Sequence, residues 1–281
     1  MFQRIENSWR LVKASWAVLR ADKELLVFPI VSGLATLLVT LTFFVPAIFS
    51  FSASSSFTRE GSINPLWIIF MAAFYVIQYT IVFFCNTALV GAAMIRLQGG
   101  DPTVGDGFRV AFEHVGQIVV YAVIAATVGM FLRWLSERGL LGRIVAGLLG
   151  LSWNIATYLV VPVLVVENVG PLDAIKRSTG LLRKTWGEQI VGNVGISAVF
   201  GLIIIGILII AMPLIAAIIA LKSIALVIVA VGGLVVVLIG LGLFSSALNG
   251  IYTAAVYRYA TEGQAGDFFE TDLIQNAFRQ K

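Results

Sequence analysis

Residues 190–221 read IVGNVGISAVFGLIIIGILIIAMPLIAAIIAL, and residues 224–257 read IALVIVAVGGLVVVLIGLGLFSSALNGIYTAAVY. Lys222, between the two runs, is the one charged residue of the whole stretch, and Pro213 is its one proline. An apolar helix needs roughly 20 residues to cross about 30 Å of hydrocarbon, so each run exceeds one span. A membrane strand would alternate apolar with polar residues, and neither run does. Two over-long helices must tilt, kink or break. Three shorter spans are the alternative, and they would put the termini on opposite sides. The Lys222–Ser223 break and the basic C-terminal tail favour two.

Four more apolar runs lie upstream: Leu25 to Phe51, Ile63 to Ile95, Val115 to Leu135 and Leu140 to Val166. Each is long enough to span. The composition agrees. Of 281 residues 59% are hydrophobic and 12% charged, with a mean hydropathy of +0.96. An ordinary soluble domain carries about 25% charged residues. These figures exclude a disordered chain, a nucleic-acid-binding domain and a soluble enzyme. The net charge of +4 fits loops facing anionic lipid headgroups.

Lysine and arginine set the orientation. One side collects Arg4, Arg10, Lys13, Arg20 and Lys23, then Arg96 and Arg109, then Lys176, Arg177, Arg183 and Lys184, then Arg258, Arg279 and Lys281. The other side holds Arg59, Arg133, Arg138, Arg143 and Lys222. The positive-inside rule puts both termini in the cytoplasm. A signal peptide is not expected, because the first apolar run is too long for one and a charged helical stretch precedes it.

An architectural repeat is superimposed on the spans: an amphipathic cytoplasmic segment, then a transmembrane hairpin, three times over. The first segment carries Phe2, Ile5, Trp9, Val12, Trp16 and Leu19 at alternating spacings of three and four, one helical stripe. The second, near residues 103–114, carries Val104, Phe108, Ala111 and Val115 after the helix-start residues Thr103 and Asp106. The third, 171–186, places Ile175, Leu182 and Trp186 together after Pro171 and Asp173. Tryptophan favours the headgroup layer and cations favour anionic lipid. Trp9, Arg10, Lys13, Trp16, Lys176, Arg177, Arg183, Lys184 and Trp186 are therefore the expected membrane-surface residues. They serve either as elbows anchoring each hairpin or as a docking surface for lipid or a partner.

The even-numbered spans share a second echo. Asn86, Asn154 and Asn249 each precede the next charged residue, Arg96, Glu167 and Arg258, by roughly ten residues or slightly more. They should lie at similar depth and face inward, since an amide in hydrocarbon needs a hydrogen-bond partner. Either they join helices, at perhaps 1 kcal/mol each, or they line a polar path that Gln78 could extend. Small residues, such as Gly142, Ala146 and Gly150, let neighbouring backbones approach.

Reactive chemistry is sparse. With one histidine, His114, and one cysteine, Cys85, no zinc site of histidines and cysteines can form within the chain and no disulfide either. Cys85 reads as a small buried hydrophobe and His114 as a structural interfacial residue. Ser152 has no base in a span to activate it, and no pair of carboxylates lies inside the membrane. Glu167 reads as an interfacial acid capping the following turn; drawn deeper, it could carry a proton. No cofactor or metal is expected.

The stretch from Ser8-Trp9-Arg10-Leu11-Val12-Lys13-Ala14-Ser15-Trp16 through Arg20-Ala21-Asp22-Lys23-Glu24-Leu25-Leu26-Val27-Phe28-Pro29 resembles an uncharacterised bacterial six-span inner-membrane family, a domain of unknown function. The ending from Leu273 to Lys281 is similar to it too. Pro171-Leu172-Asp173-Ala174-Ile175-Lys176-Arg177-Ser178 more loosely resembles elbow helices in the membrane domain fused to some glycerophosphodiester phosphodiesterases. No phosphodiesterase domain is present, so no activity carries over. The resemblance implies an inner-membrane location and no catalytic residues.

The expectation is one all-α, polytopic membrane domain over 1–281. It comprises an amphipathic helix (1–24), a six-helix bundle arranged as three hairpins with cytoplasmic elbows (25–257), and a cytoplasmic tail (258–281). Its leading function is that of a non-enzymatic scaffold or accessory protein. The partners expected at its cytoplasmic face are anionic lipid headgroups, another protein or a second copy of the chain, and not nucleic acid. The alternative is a channel or carrier for a small solute, ion or lipid, lined by Asn86, Asn154 and Asn249.

Overall fold

The computed structural model describes residues 2–53, 65–186, 196–220 and 222–275. Among them there is no strand. Helix α1 (Phe2–Ala21) leads through a short 3-10 turn (Lys23–Leu26) into α2 (Val27–Ala53). Then come α3 (Pro65–Leu97), α4 (Val104–Glu113), α5 (Val115–Ser136), α6 (Leu140–Ala156) and α7 (Val160–Glu167). The chain ends with α8 (Pro171–Trp186), α9 (Ile196–Ala220), α10 (Ile224–Glu262) and α11 (Thr271–Gln275).

Among the described residues, six segments are long and apolar enough to cross a membrane: Lys23–Val45, Ile68–Leu97, Val115–Ser136, Leu140–Glu167, Val199–Ala220 and Ile224–Glu262. The last two answer the ambiguity of residues 190–257. Within the described part there are two helices, and they part around Lys222, which adopts a left-handed backbone (φ 53°). Residues 187–195 lie outside the described residues.

α2 packs on α3, α5 on α6, and α9 on α10, while α3 also touches α5, α7 and α10. The tight core lies at the end of the bundle that holds both α1 and α11. Leu25, Phe28, Leu89, Ile118, Leu159, Leu164, Leu248 and Ile251 are all at most 1% exposed there. From Gly201 to Ser246, by contrast, no described residue is buried. Ile210 and Val229 are about 71% and 72% exposed. Such a surface is stable only where the solvent is itself apolar, as in a bilayer.

The short helices lie across that tight end. α4 begins with a capping box: the Thr103 hydroxyl accepts from the Asp106 N–H, and the Asp106 carboxylate accepts from the Thr103 N–H. The Thr103 hydroxyl and N–H, with Arg109 adding to them, hold the Asp106 carboxyl below the usual carboxylate range. α4 packs chiefly on α3, α8 on α5, α6, α7 and α10, and α1 on α9 and α10. Gly107 allows the α4–α3 approach, since a Cβ there would lie 2.7 Å from the Ala88 carbonyl oxygen and 2.4 Å from Phe28 Cζ.

The structure adds a docking face on α1 and breaks one span. First, α1 docks through a face beside the Trp9–Trp16 stripe that the sequence reading put at the membrane surface. Ser8, Leu11, Val12, Ser15, Val18 and Leu19 are buried, whereas Trp9 and Trp16 are 46% and 45% exposed. The small Ser8 and Ser15 permit close helix contact, which an indole would prevent. Second, the span Leu140–Glu167 is broken at residues 157–159 into α6 and α7. The side chains of Phe2, Ile5 and Trp186, expected on the surface faces, lie outside the described residues.

Candidate functional site

The break between α6 and α7 follows from local hydrogen bonding. The Thr157 side chain and N–H both turn back to the Trp153 carbonyl, at 2.8 and 2.9 Å. The Tyr158 N–H then bonds the Ile155 carbonyl instead of that of Asn154. Pro162 has no N–H to offer the carbonyl of Tyr158. The Leu159 N–H, freed by the tight turn, is accepted by the buried Ser178 hydroxyl of α8 at 3.0 Å. Non-helical backbone at membrane depth is tolerated where it is buried in protein or lines a cavity, and this segment does both.

Beside the break is a cavity of about 400 Å³. Asn154, Thr157, Tyr158 and Val161 contribute from the broken span, and Asn86 and Tyr79 from α3. Tyr121 on α5 and Thr253 on α10 complete its polar lining. A second cavity, of about 250 Å³, lies between α2, α3 and α10, with Asn249, Ser246, Ser32 and Cys85 among its walls. Asn86 and Thr253 line both cavities, so the two adjoin at those residues. No charged side chain lines either.

The four intramembrane amides of the sequence reading thus have different placements. Asn86 joins Asn154 at the larger cavity and Asn249 at the smaller. Asn249 is also a strut: its Nδ2 donates to the Ser245 carbonyl at 2.8 Å, and its Oδ1 accepts from Ser197 at 3.2 Å. Gln78 lines neither cavity. It ties α3 to α2 by donating to the Thr36 carbonyl at 3.0 Å and the Thr40 hydroxyl at 2.8 Å. Among the described residues, the side chains of Asn86 and Asn154 have no hydrogen-bond partner. The sequence reading missed Thr253 and the break itself. Pro162, five residues before the end at Glu167 of a span that also holds Asn154, Thr157 and Tyr158, was the available signal for the break.

The remaining candidates lie at the tight end. Glu167 accepts from Arg177 Nε through both carboxylate oxygens, each at 3.0 Å, and from the Tyr257 hydroxyl at 3.2 Å. It joins the end of α7 to α8 and α10. His114 is buried, with Nδ1 2.7 Å from the Val110 carbonyl. Cys85 is buried and free. Arg10 pairs with Glu270, and Lys176 with Asp173. Lys13, Arg183 and Lys184 are exposed.

No curated protein and no solved structure matches this chain. A family model does match, over residues 65–268, a stretch beginning after the Ser8–Pro29 segment that carried the resemblance. That model describes a family of unknown function, DUF6159, and with most of its length matched the chain belongs to that family.

Proposed function

We propose that the protein is a non-catalytic, multi-pass protein of the bacterial inner membrane. It holds or passes a small molecule in the polar chamber formed by the two adjoining cavities. Asn86 and Asn154 carry this reading: two amides in the apolar bundle, both on the larger cavity, both without a partner among the described residues. Asn154 is exposed and Asn86 half-buried at this open-sided cavity, so both amides can bond water or a polar ligand held there.

The finer architecture belongs to the same proposal. Three hairpins are each preceded by a cytoplasmic elbow, α1, α4 or α8, and both termini are cytoplasmic. The packing supports it, because each elbow lies mainly on the hairpin before it in cyclic order. The distribution of lysine and arginine supports the orientation. A second reading, a lipid- or partner-binding scaffold, is favoured by one observation. Trp9, Lys13, Trp16 and Arg20 are exposed along one side of α1, in the mixture suited to an anionic headgroup layer.

Native mass spectrometry of the protein in lipid nanodiscs tests the chamber. The expected result is a small mass retained by the wild type and lost in Asn154→Leu with its helix content unchanged. Identical bound masses in wild type and variant, together with equal solute flux in proteoliposomes, would refute it. A stoichiometric second protein in both would point to the scaffold.

A further inference from the structure

The larger cavity has an unusual wall. Five aromatic residues surround it, Tyr79, Phe83, Tyr121, Trp153 and Tyr158, and no carboxylate or cation does. Aromatic faces are negative at their centres and attract cations, most strongly when the site is desolvated. The α6 helix also ends here. A helix C-terminus carries partial negative charge on carbonyls without helical donors. Asn154 lies both on this wall and in that last turn, and its carbonyl has lost the Tyr158 N–H to Ile155. The side-chain oxygens of Asn86, Asn154, Thr157 and Thr253 add acceptors.

The opposing feature is Arg133, one residue beyond Leu132 of the wall. Its guanidinium is held by the Tyr75 hydroxyl at 2.8 Å and by Glu137 at 3.5 Å. That pairing directs its charge to the far end of the bundle, away from the break.

We propose that the larger cavity is a site for a small organic ammonium group, tertiary or quaternary, held by the aromatic wall and the open end of α6. The proposal rests on the chamber reading above and names the class of its occupant. A volume of about 400 Å³ accommodates a trimethylammonium group with a short polar tail. A compact inorganic cation would be undercoordinated there, because it needs several oxygens at close range, whereas a trimethylammonium group presents a diffuse charge suited to ring faces.

The test is a titration of the intact protein, in phosphatidylglycerol nanodiscs, with choline and with its neutral isostere 3,3-dimethyl-1-butanol. Choline is expected to bind about tenfold tighter or more, the difference that a desolvated cation–π site supplies. Trp153→Leu should lower choline affinity about tenfold and leave the alcohol unaffected, while Trp153→Phe retains most of it. Equal binding of the two probes overturns the ammonium proposal and leaves the chamber reading standing. Binding of neither overturns both. Repeating the choline titration in phosphatidylcholine nanodiscs separates the sources. A weakened response supports the proposal with a lipid headgroup as the occupant, and an unchanged one supports it with a free amine.

Discussion

Ser15 and Ser178 are both 0% exposed, yet replacing each with alanine should move stability in opposite directions. The Ser178 hydroxyl accepts the Leu159 N–H at 3.0 Å. In an unbroken helix that N–H would bond the Ile155 carbonyl, but this carbonyl already takes the Tyr158 N–H. Ser178→Ala therefore leaves a buried backbone donor without a partner, at about 1–3 kcal/mol. Among the described residues the Ser15 hydroxyl has no partner. Ser15→Ala removes a desolvated group that returns nothing, so it should be neutral or stabilising by up to about 1 kcal/mol. The two variants should differ by about 1–4 kcal/mol, a factor of roughly 5 to 800 in the folded ratio. The assay is equilibrium unfolding by SDS in a fixed mixed micelle, followed by circular dichroism and by tryptophan fluorescence. Using one substitution at two sites cancels differences in side-chain volume and in the detergent. Equal shifts of the same sign would refute the claim that Ser178 sustains the α6–α7 break.

Other expectations follow from the same geometry. Gly107→Ala forces a methyl against the Ala88 carbonyl and the buried Phe28, and should cost about 1–3 kcal/mol. Gly105→Ala, where the new methyl meets only ordinary contact at 3.6 Å, should be neutral or slightly stabilising; similar SDS midpoints for the two would contradict the α4–α3 packing. Burial raises the Asp22 carboxyl above its ordinary 3.8, with Arg96 opposing the shift. The folded protein then holds that proton after the unfolded chain has lost it, so stability should fall as pH rises from 3.8 through the raised value. Asp22→Asn should flatten this fall above the ordinary value, and parallel pH profiles for wild type and variant would refute the assignment. Trp9→Ala combined with Trp16→Ala should weaken the hold of α1 on anionic vesicles, read by quenching from brominated lipids at Ala17→Trp in the same background; unchanged quenching would remove the membrane-surface role of that face.

The spans were legible because bilayer thickness imposes a length and a composition that few other structures share. The start of α4 was legible for a similar reason, since Thr103 and Asp106 act within one turn. The docking face of α1 was not. Its sequence carries a stripe through Trp9 and Trp16, read as the membrane-surface face, and no separate signal for the docked face through Leu11, Ser15 and Val18. Close helix packing favours small residues, so the serines face inward. The amides were legible as a set and not as individuals. Asn86 and Asn154 meet at one cavity, Asn249 lines the adjoining one while accepting from Ser197 of α9, and Gln78 bonds α2. Which occurs depends on whether a carbonyl or hydroxyl lies within reach, a property of the packed bundle and absent from the spacing. The α6–α7 break depends on Ser178, 19 residues from Leu159 and on another helix. No local window contains both partners.

The order of the elbows carries a consequence for assembly. α4 follows α3 in the chain and packs chiefly on it, and α8 packs on the spans immediately before it. Both can dock as soon as they are made. α1 packs on α9 and α10, the last spans of the chain. Its buried face, with Leu11, Val12, Val18 and Leu19 at most 7% exposed in the finished fold, has no protein surface to meet until nearly everything else is in place. An amphipathic helix in that position is held in the interface by its apolar side chains and by its cations. Trp9, Lys13 and Arg20 are still exposed after docking, while Trp16, 45% exposed, also lays its ring against Phe244 of α10. If α1 takes the membrane-surface role proposed for it, the same residues would also anchor it while its partner spans are being made.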